Sequence, residues 1–201
     1  MKKKTSATKR KLLDISKQLI ITKGYNATTI EEICKTAEVT KGAFFYYFKT
    51  KEDLGVNVLN DYWQTRQREF ADADWMNFDH PLDQLEHFLE TVADVFMSDV
   101  NGFSCVAGIF TQELATTNLM FRSLVAELFT EWADQIKPVL QSAKDMSPAD
   151  NDIDITALAD HIIVVIEGAI ILGLARQDRT IIAKHITMLN HYLKSVLNPH
   201  M

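Results

Sequence analysis

Glycine and proline are scarce in this chain, at 7 and 4 of 201 residues. So few breakers leave little room for the many tight turns of an all-β fold and favour long helices. Cysteine is scarcer still, and Cys34 and Cys105 form neither a disulfide framework nor a zinc pattern. Long apolar runs are missing as well. The most apolar stretch, Ile162 to Ala175, is interrupted by Glu167 and is expected to be too short to span a bilayer. The start, MKKKTSATKRK, carries the charge of a signal peptide without the apolar segment that should follow it, so a cytoplasmic protein with no membrane partner is expected. No nucleophile elbow, phosphate loop or His-Glu-x-x-His occurs, and His161, His185 and His191 lack metal-ligand spacing. These absences argue against an enzyme: no catalytic residue, metal or cofactor is expected.

Charge is present but unevenly spread. The net charge of −6 would by itself argue against a nucleic-acid partner. Residues 1–51, however, hold twelve Lys and Arg against Asp14, Glu31, Glu32 and Glu38, a balance of +8 that leaves −14 for residues 52–201. One end attracts polyanions while the rest repels them.

Helical periodicity runs the length of the chain. Leu12, Ile15, Leu19 and Ile20 recur at helix spacing, and Gly24 stops that first helix. Thr29-x-x-Glu32 reads as a capping box, with hydroxyl and carboxylate each satisfying a free amide, and Ile30, Ile33 and Ala37 form the buried stripe behind it. Thr40 caps a third helix to about Phe48, and Thr50 opens a long fourth to about Ala73. Residues 74–80 read as a connection. Further helices are expected from Pro81 to about Ser98, up to Leu114 after a break at Asn101-Gly102, from Asn118 to about Lys144, and, past a polar loop at 146–152, over Ile155–Gln177 and Arg179–Leu197, with Asp178 between the last two. The reading is all-α, with about nine helices and three of them in the first fifty residues.

Three short helices with a tight connection between the second and third have the geometry of a helix-turn-helix. Thr40, Lys41, Gly42 and Ala43 begin its third helix, where base edges come within reach and small side chains allow close backbone approach. Tyr46 and Tyr47 can bond phosphates through their hydroxyls, with half-buried packing as their alternative, and Lys51 begins a helix whose free amides can share a phosphate with its ammonium. Phe44 and Phe48 read as local core. The segment from Gly24-Tyr-Asn-Ala-Thr-Thr-Ile-Glu-Glu-Ile, then Ala37-Glu-Val-Thr-Lys-Gly-Ala-Phe-Phe-Tyr-Tyr-Phe-Lys-Thr-Lys-Glu-Asp-Leu54, resembles the DNA-binding domain of the TetR family of bacterial regulators. The resemblance implies that Thr40, Lys41 and Ala43 face bases while Phe45, Tyr46, Tyr47 and Lys51 follow the phosphates. Thr29 and Gly42 complete the candidate DNA-binding set. Two residues depart from the family pattern: Glu38 stands where the turn usually has Gly, so strain or a different conformation is expected there, and Phe45 replaces a Tyr.

The resemblance further implies a homodimer, a double-stranded DNA operator with palindromic symmetry and a small-molecule inducer. Residues 1–50 would read DNA, and residues 51–201 would bind the ligand and dimerise. Phe96, Phe103, Cys105, Phe110, Phe129, Trp132 and Glu167 are the candidate pocket residues, with a buried core as the alternative for the aromatic ones. The stretch around Cys105 resembles a Gly-Cys-x-x-Gly-x-x-x-x-Glu-Leu segment of some family members that sense electrophiles, so a redox-sensing repressor is an alternative, as is an activator with the same DNA contacts. The wide apolar face of residues 155–175, with Gly168 and Gly173 allowing close approach, suits a four-helix dimer interface.

Overall fold

The computed structural model describes residues 7–98, 104–147 and 152–198. Among these residues the chain forms nine α-helices and no strand: α1 (Ala7–Lys23), α2 (Ile30–Thr36), α3 (Lys41–Tyr47), α4 (Lys51–Asp72), α5 (Pro81–Ser98), α6 (Val106–Leu114), α7 (Leu119–Met146), α8 (Ile155–Arg176) and α9 (Thr180–Leu197). The expected break at Asn101-Gly102 and most of the polar loop at 146–152 lie outside the described residues. Two compact units result. The first takes the chain through Arg66 together with Cys105–Val125; the second takes Gln67–Ser104 and the chain from Ala126 onward.

In the first unit the helix ends follow local chemistry. Gly24 terminates α1 at φ +90°, a conformation that side chains with a Cβ rarely adopt. Thr29 Oγ1 accepts the Glu32 N–H at 3.2 Å, so the cap forms. The reciprocal half of the expected capping box does not, because the Glu32 carboxylate pairs with Lys23 instead. The N-terminus of α4 shows the two-way arrangement: Thr50 Oγ1 accepts the Asp53 N–H at 3.0 Å, and Asp53 Oδ2 accepts the Lys49 N–H at 2.9 Å. The core of this unit includes Leu12, Ile33, Ala37, Phe44, Phe48 and Leu59. On α1 the buried face is Leu12, Leu13, Ser16 and Ile20, while Ile15 and Leu19 are only half-buried. The helix is thus rotated from the expected stripe. Arg10 fastens α1 to α4 through two bonds to Asp61, each 2.5 Å, and these hold its pKa above the ordinary guanidinium value against the opposing effect of burial.

In the second unit α9 packs between α5 and α8. Phe88, Leu89, Val92 and Phe96 of α5 are buried, as are Ile182, Ile186, Leu189 and Leu193 of α9. The connection before α5 contains a 3-10 turn, Trp75–Asn77, which puts the Trp75 ring 5.0 Å from that of Phe88. Gln177, at φ 53°, ends α8 in the left-handed region one residue before the expected boundary, and Asp178 Oδ1 accepts the Thr180 N–H at 2.9 Å to begin α9. Helix α8 starts at Ile155, so the apolar segment is longer than the Ile162–Ala175 run: its 22 residues are long and apolar enough to cross a membrane by length and composition. Burial accounts for only part of that composition, since 39% of the apolar window is buried. Leu158, Ala159, Ile162, Ile163, Ile166, Ala169, Ile170 and Gly173 are all buried.

Candidate nucleic-acid interface

Helix α3 has two unlike faces. Phe44 and Phe48 are completely buried, whereas Phe45 is 49% and Tyr46 80% exposed. Thr40, Lys41 and Gly42 are exposed with them, and Ala43 and Tyr47 are half-buried. Burying two phenylalanine rings at i and i+4 turns the intervening positions outward. Thr40 Oγ1 accepts the Ala43 N–H at 3.1 Å, which places the cap residue itself at the exposed start of the helix. Tyr46 and Tyr47 meet edge to face with ring centroids 4.8 Å apart. Thr29, exposed at the start of α2, is occupied by its own capping bond.

The connection from α2 to α3 requires a left-handed residue, and Glu38 supplies it at φ 53°. The expected strain at this position is therefore real, of the order of 1–2 kcal/mol for a residue with a Cβ. Val39 N–H donates to the Cys34 carbonyl at 2.9 Å and closes the turn. Lys11 reaches Glu38 at 3.0 Å, an exposed ion pair that offsets little of this cost.

Both candidate cations already have partners. Lys41 pairs with Glu31 on α2, and that bond pulls the Glu31 carboxyl below the usual carboxylate range. Lys51 is half-buried: its ammonium lies 4.3 Å from the Tyr25 ring centroid and donates to the Asn26 carbonyl at 3.2 Å. Burial lowers its pKa, while Glu113 and Glu52 act in the opposite direction.

These features coincide with a likeness at the level of sequence. The family model for the N-terminal domain of bacterial regulatory proteins of the tetR family matches residues 12–56, and the model for the C-terminal domain of LmrA/YxaF-like transcriptional regulators matches residues 81–186. The chain belongs to the TetR family. The HTH-type transcriptional repressor DhaR of Mycobacterium sp. (strain GP1) is 23% identical to it over 88% of this chain and 87% of that protein. The HTH-type transcriptional regulator QacR of Staphylococcus aureus is 52% identical, but only over 26% of this chain and 28% of its own length. Among solved structures, the regulatory protein TetR from Rhodobacter sphaeroides superposes with a TM-score of 0.82 at 22% identity, covering 92% of this chain and 98% of that one. As a TetR-family protein the chain is a transcriptional regulator with an N-terminal helix-turn-helix, and its family is one of regulators rather than enzymes.

The candidate pocket residues fall in both units. Cys105 and Phe110 belong to the first, where Phe110 is buried against Tyr25 and Phe121 with ring centroids 4.9 and 5.2 Å away. Phe96, Phe129, Trp132 and Glu167 belong to the second; Phe96 and Trp132 are buried, and Phe129 and Glu167 are half-buried. Phe103 lies outside the described residues. A cleft of about 420 Å³ in the second unit is lined by Gln67, Phe70, Ala71, Asp74, Trp75, Met76, Asn77 and Gln135. None of the six described candidates lines it, although Phe70 stacks on Trp132 at 6.1 Å. Its lining comes from the end of α4, the turn that follows and the middle of α7, so no spacing in the sequence announces it. Among the described residues no group of three or more His, Cys, Asp or Glu could hold a metal ion.

Proposed function

We propose that this regulator is a cytoplasmic repressor that binds a palindromic operator as a homodimer and leaves it when a small molecule binds. The observation that carries the reading is the exposed edge of α3, in which Thr40, Lys41, Gly42, Phe45 and Tyr46 stand out from two fully buried phenylalanines within a strongly basic segment. Thr40, Lys41 and Ala43 would meet base edges, and Phe45, Tyr46, Tyr47 and Lys51 would lie along the backbone. Residues 1–50 would form the reader and residues 51–201 the sensing and dimerising part. An activator would use the same contacts; the naming of DhaR as a repressor favours repression.

An exposed apolar strip supports the dimer. Val164, Ile171 and Leu174 of α8 are 65%, 50% and 47% exposed, and Met188 and Tyr192 of α9 are 66% and 45% exposed. Gly168 lies between them on α8 with nothing within 4 Å of where a Cβ would stand. Two such strips facing each other would bury a patch that a monomer leaves in water. The 420 Å³ cleft is the size of a small-ligand site, and its aromatic wall of Phe70 and Trp75, edged by amides and Asp74, would suit an organic inducer. No enzymatic role is proposed for it.

One observation favours a second reading, in which Cys105 senses an electrophile. Its sulfur accepts the Gly108 N–H at 3.4 Å at the start of α6, and the Tyr62 hydroxyl donates to it at 3.6 Å. Both donors favour a thiolate, although the residue is buried. Operator release by N-ethylmaleimide in the wild type but not in Cys105→Ser would support this reading over a reversible inducer.

The primary test is salt dependence. Lys51→Ala should weaken binding to every duplex and reduce the salt slope by about one unit. An unchanged slope would remove Lys51 from the phosphate contacts.

A further inference from the structure

Helix α6 grips the N-terminal helices through one carboxylate. Glu113 Oε1 accepts the Tyr25 N–H at 3.1 Å, and Glu113 Oε2 accepts the Asn26 N–H at 2.7 Å. The two oxygens thus hold consecutive amides of the turn that follows α1. Lys51 of α4 bonds the carbonyl of the same turn, at Asn26, and covers the Tyr25 ring. An anion on the N–H groups and a cation on the carbonyl fix one short peptide segment with complementary charge.

The surroundings are shaped for this contact. A Cβ at Gly24 would overlap Glu113 Oε1, so the residue that ends α1 also leaves room for the carboxylate. The Tyr25 ring packs against Phe110 and Phe121, and a Cβ at Gly55 would crowd all three rings. Helix α6 lies within residues 81–186, which match the C-terminal family model, yet it belongs to the same compact unit as α1 to α3. The C-terminal half of the sequence therefore contributes the residue that holds the turn between α1 and α2.

We propose that Glu113 is a positioning residue for DNA reading, fixing the α1–α2 turn and with it the seat of Lys51. The proposal rests on the reading of α3 as the DNA-contacting helix. It has a sign that a passive carboxylate would not give. A negative charge near a polyanion opposes binding, so simple removal of that charge should strengthen DNA affinity or leave it unchanged. Loss of a positioning carboxylate weakens it. Any displacement of α6 would release both amides together.

The test uses the full chain and a duplex that the wild type selects from a random pool. Glu113→Gln keeps the shape but turns an amide NH2 toward a backbone donor, and Glu113→Asp keeps the charge but shortens the reach. Both variants should bind the selected duplex about tenfold more weakly, the effect expected for losing a hydrogen bond to a charged group. The salt slope should fall by up to about one unit, because a turn without its carboxylate no longer seats the Lys51 ammonium, and the Tyr25 and Asn26 amides should exchange hydrogen faster. Thermal melting of each variant checks that it is folded, and amide exchange reads the clamp without DNA. Wild-type or tighter binding by Glu113→Gln, or unchanged exchange at both amides, would overturn the role of Glu113 and leave the DNA reading standing. A wild type that selects no duplex would instead overturn the DNA reading on which the proposal rests.

Discussion

Glu38 shows how a single departure from a family pattern becomes a backbone fact. The α2–α3 turn needs a residue at positive φ, and this chain places a glutamate there at 53°. Glycine would adopt the same conformation without the steric cost, and the Lys11 partner is too exposed to compensate for it. Glu38→Gly should therefore stabilise the folded chain by up to about 1 kcal/mol after the entropy of the unfolded state is counted. A denaturant midpoint lower than that of the wild type would show that Glu38 makes a contribution the geometry does not contain. Tyr25 presents the opposite case, a residue whose surroundings were not legible in the sequence. Its ring is buried between α6 and α7 side chains, and burial, aided by Glu52, pushes the phenol pKa up. Nothing in the spacing around residue 25 pointed to partners 85 or more positions away.

At the scale of elements, caps were the most legible feature and long-range partners the least. Thr29, Thr40, Thr50 and Asp178 each accept an amide at a helix start, as their types and positions implied. The Glu32 carboxylate pairs with Lys23 in place of the capping-box bond, and Lys23 is brought near it only by the folded turn. The 3-10 turn at Trp75–Asn77 is hidden in the sequence for a similar reason: its Trp75 packs on Phe88, a partner that periodicity does not reveal. A second long-range contact ties α5 to α9. Glu86 accepts from Asn190 at 2.6 Å and from Lys194 at 2.8 Å, and the Lys194 bond holds its carboxyl below the usual range despite partial burial, with His87 adding slightly in the same direction. A carboxylate with a depressed folded pKa stabilises the fold above its unfolded pKa, and that contribution is lost as pH falls through the folded value. Between about pH 5 and 3 the wild type should lose more stability than Glu86→Gln. Parallel acid limbs for the two proteins would show that the contact contributes nothing to the pH dependence.

At the scale of the whole molecule, the charge division was the clearest signal in the chain and the cavity the faintest. An excess of +8 over residues 1–51 is a sum over side chains and needs no fold to be seen. A cleft formed by residues from 67 to 135 exists only after α4, the following turn and α7 are in place. The exposed strip on α8 and α9 lies between these extremes: its apolar content was visible, but which residues remain uncovered was not. In the proposed dimer, Ile171→Arg would place a charge in that strip, and sedimentation should then report a species of half the wild-type mass with helix content retained. An unchanged mass would move the interface elsewhere. The most direct test of the account is selection from a random duplex pool at about 150 mM salt, comparing the wild type with the double variant Thr40→Ala, Tyr46→Ala. The account predicts that the wild type enriches an inverted repeat by roughly a thousandfold or more over random duplex, and that the double variant, still helical, loses most of that preference. No enrichment by the wild type, or an undiminished preference in the variant, would contradict it.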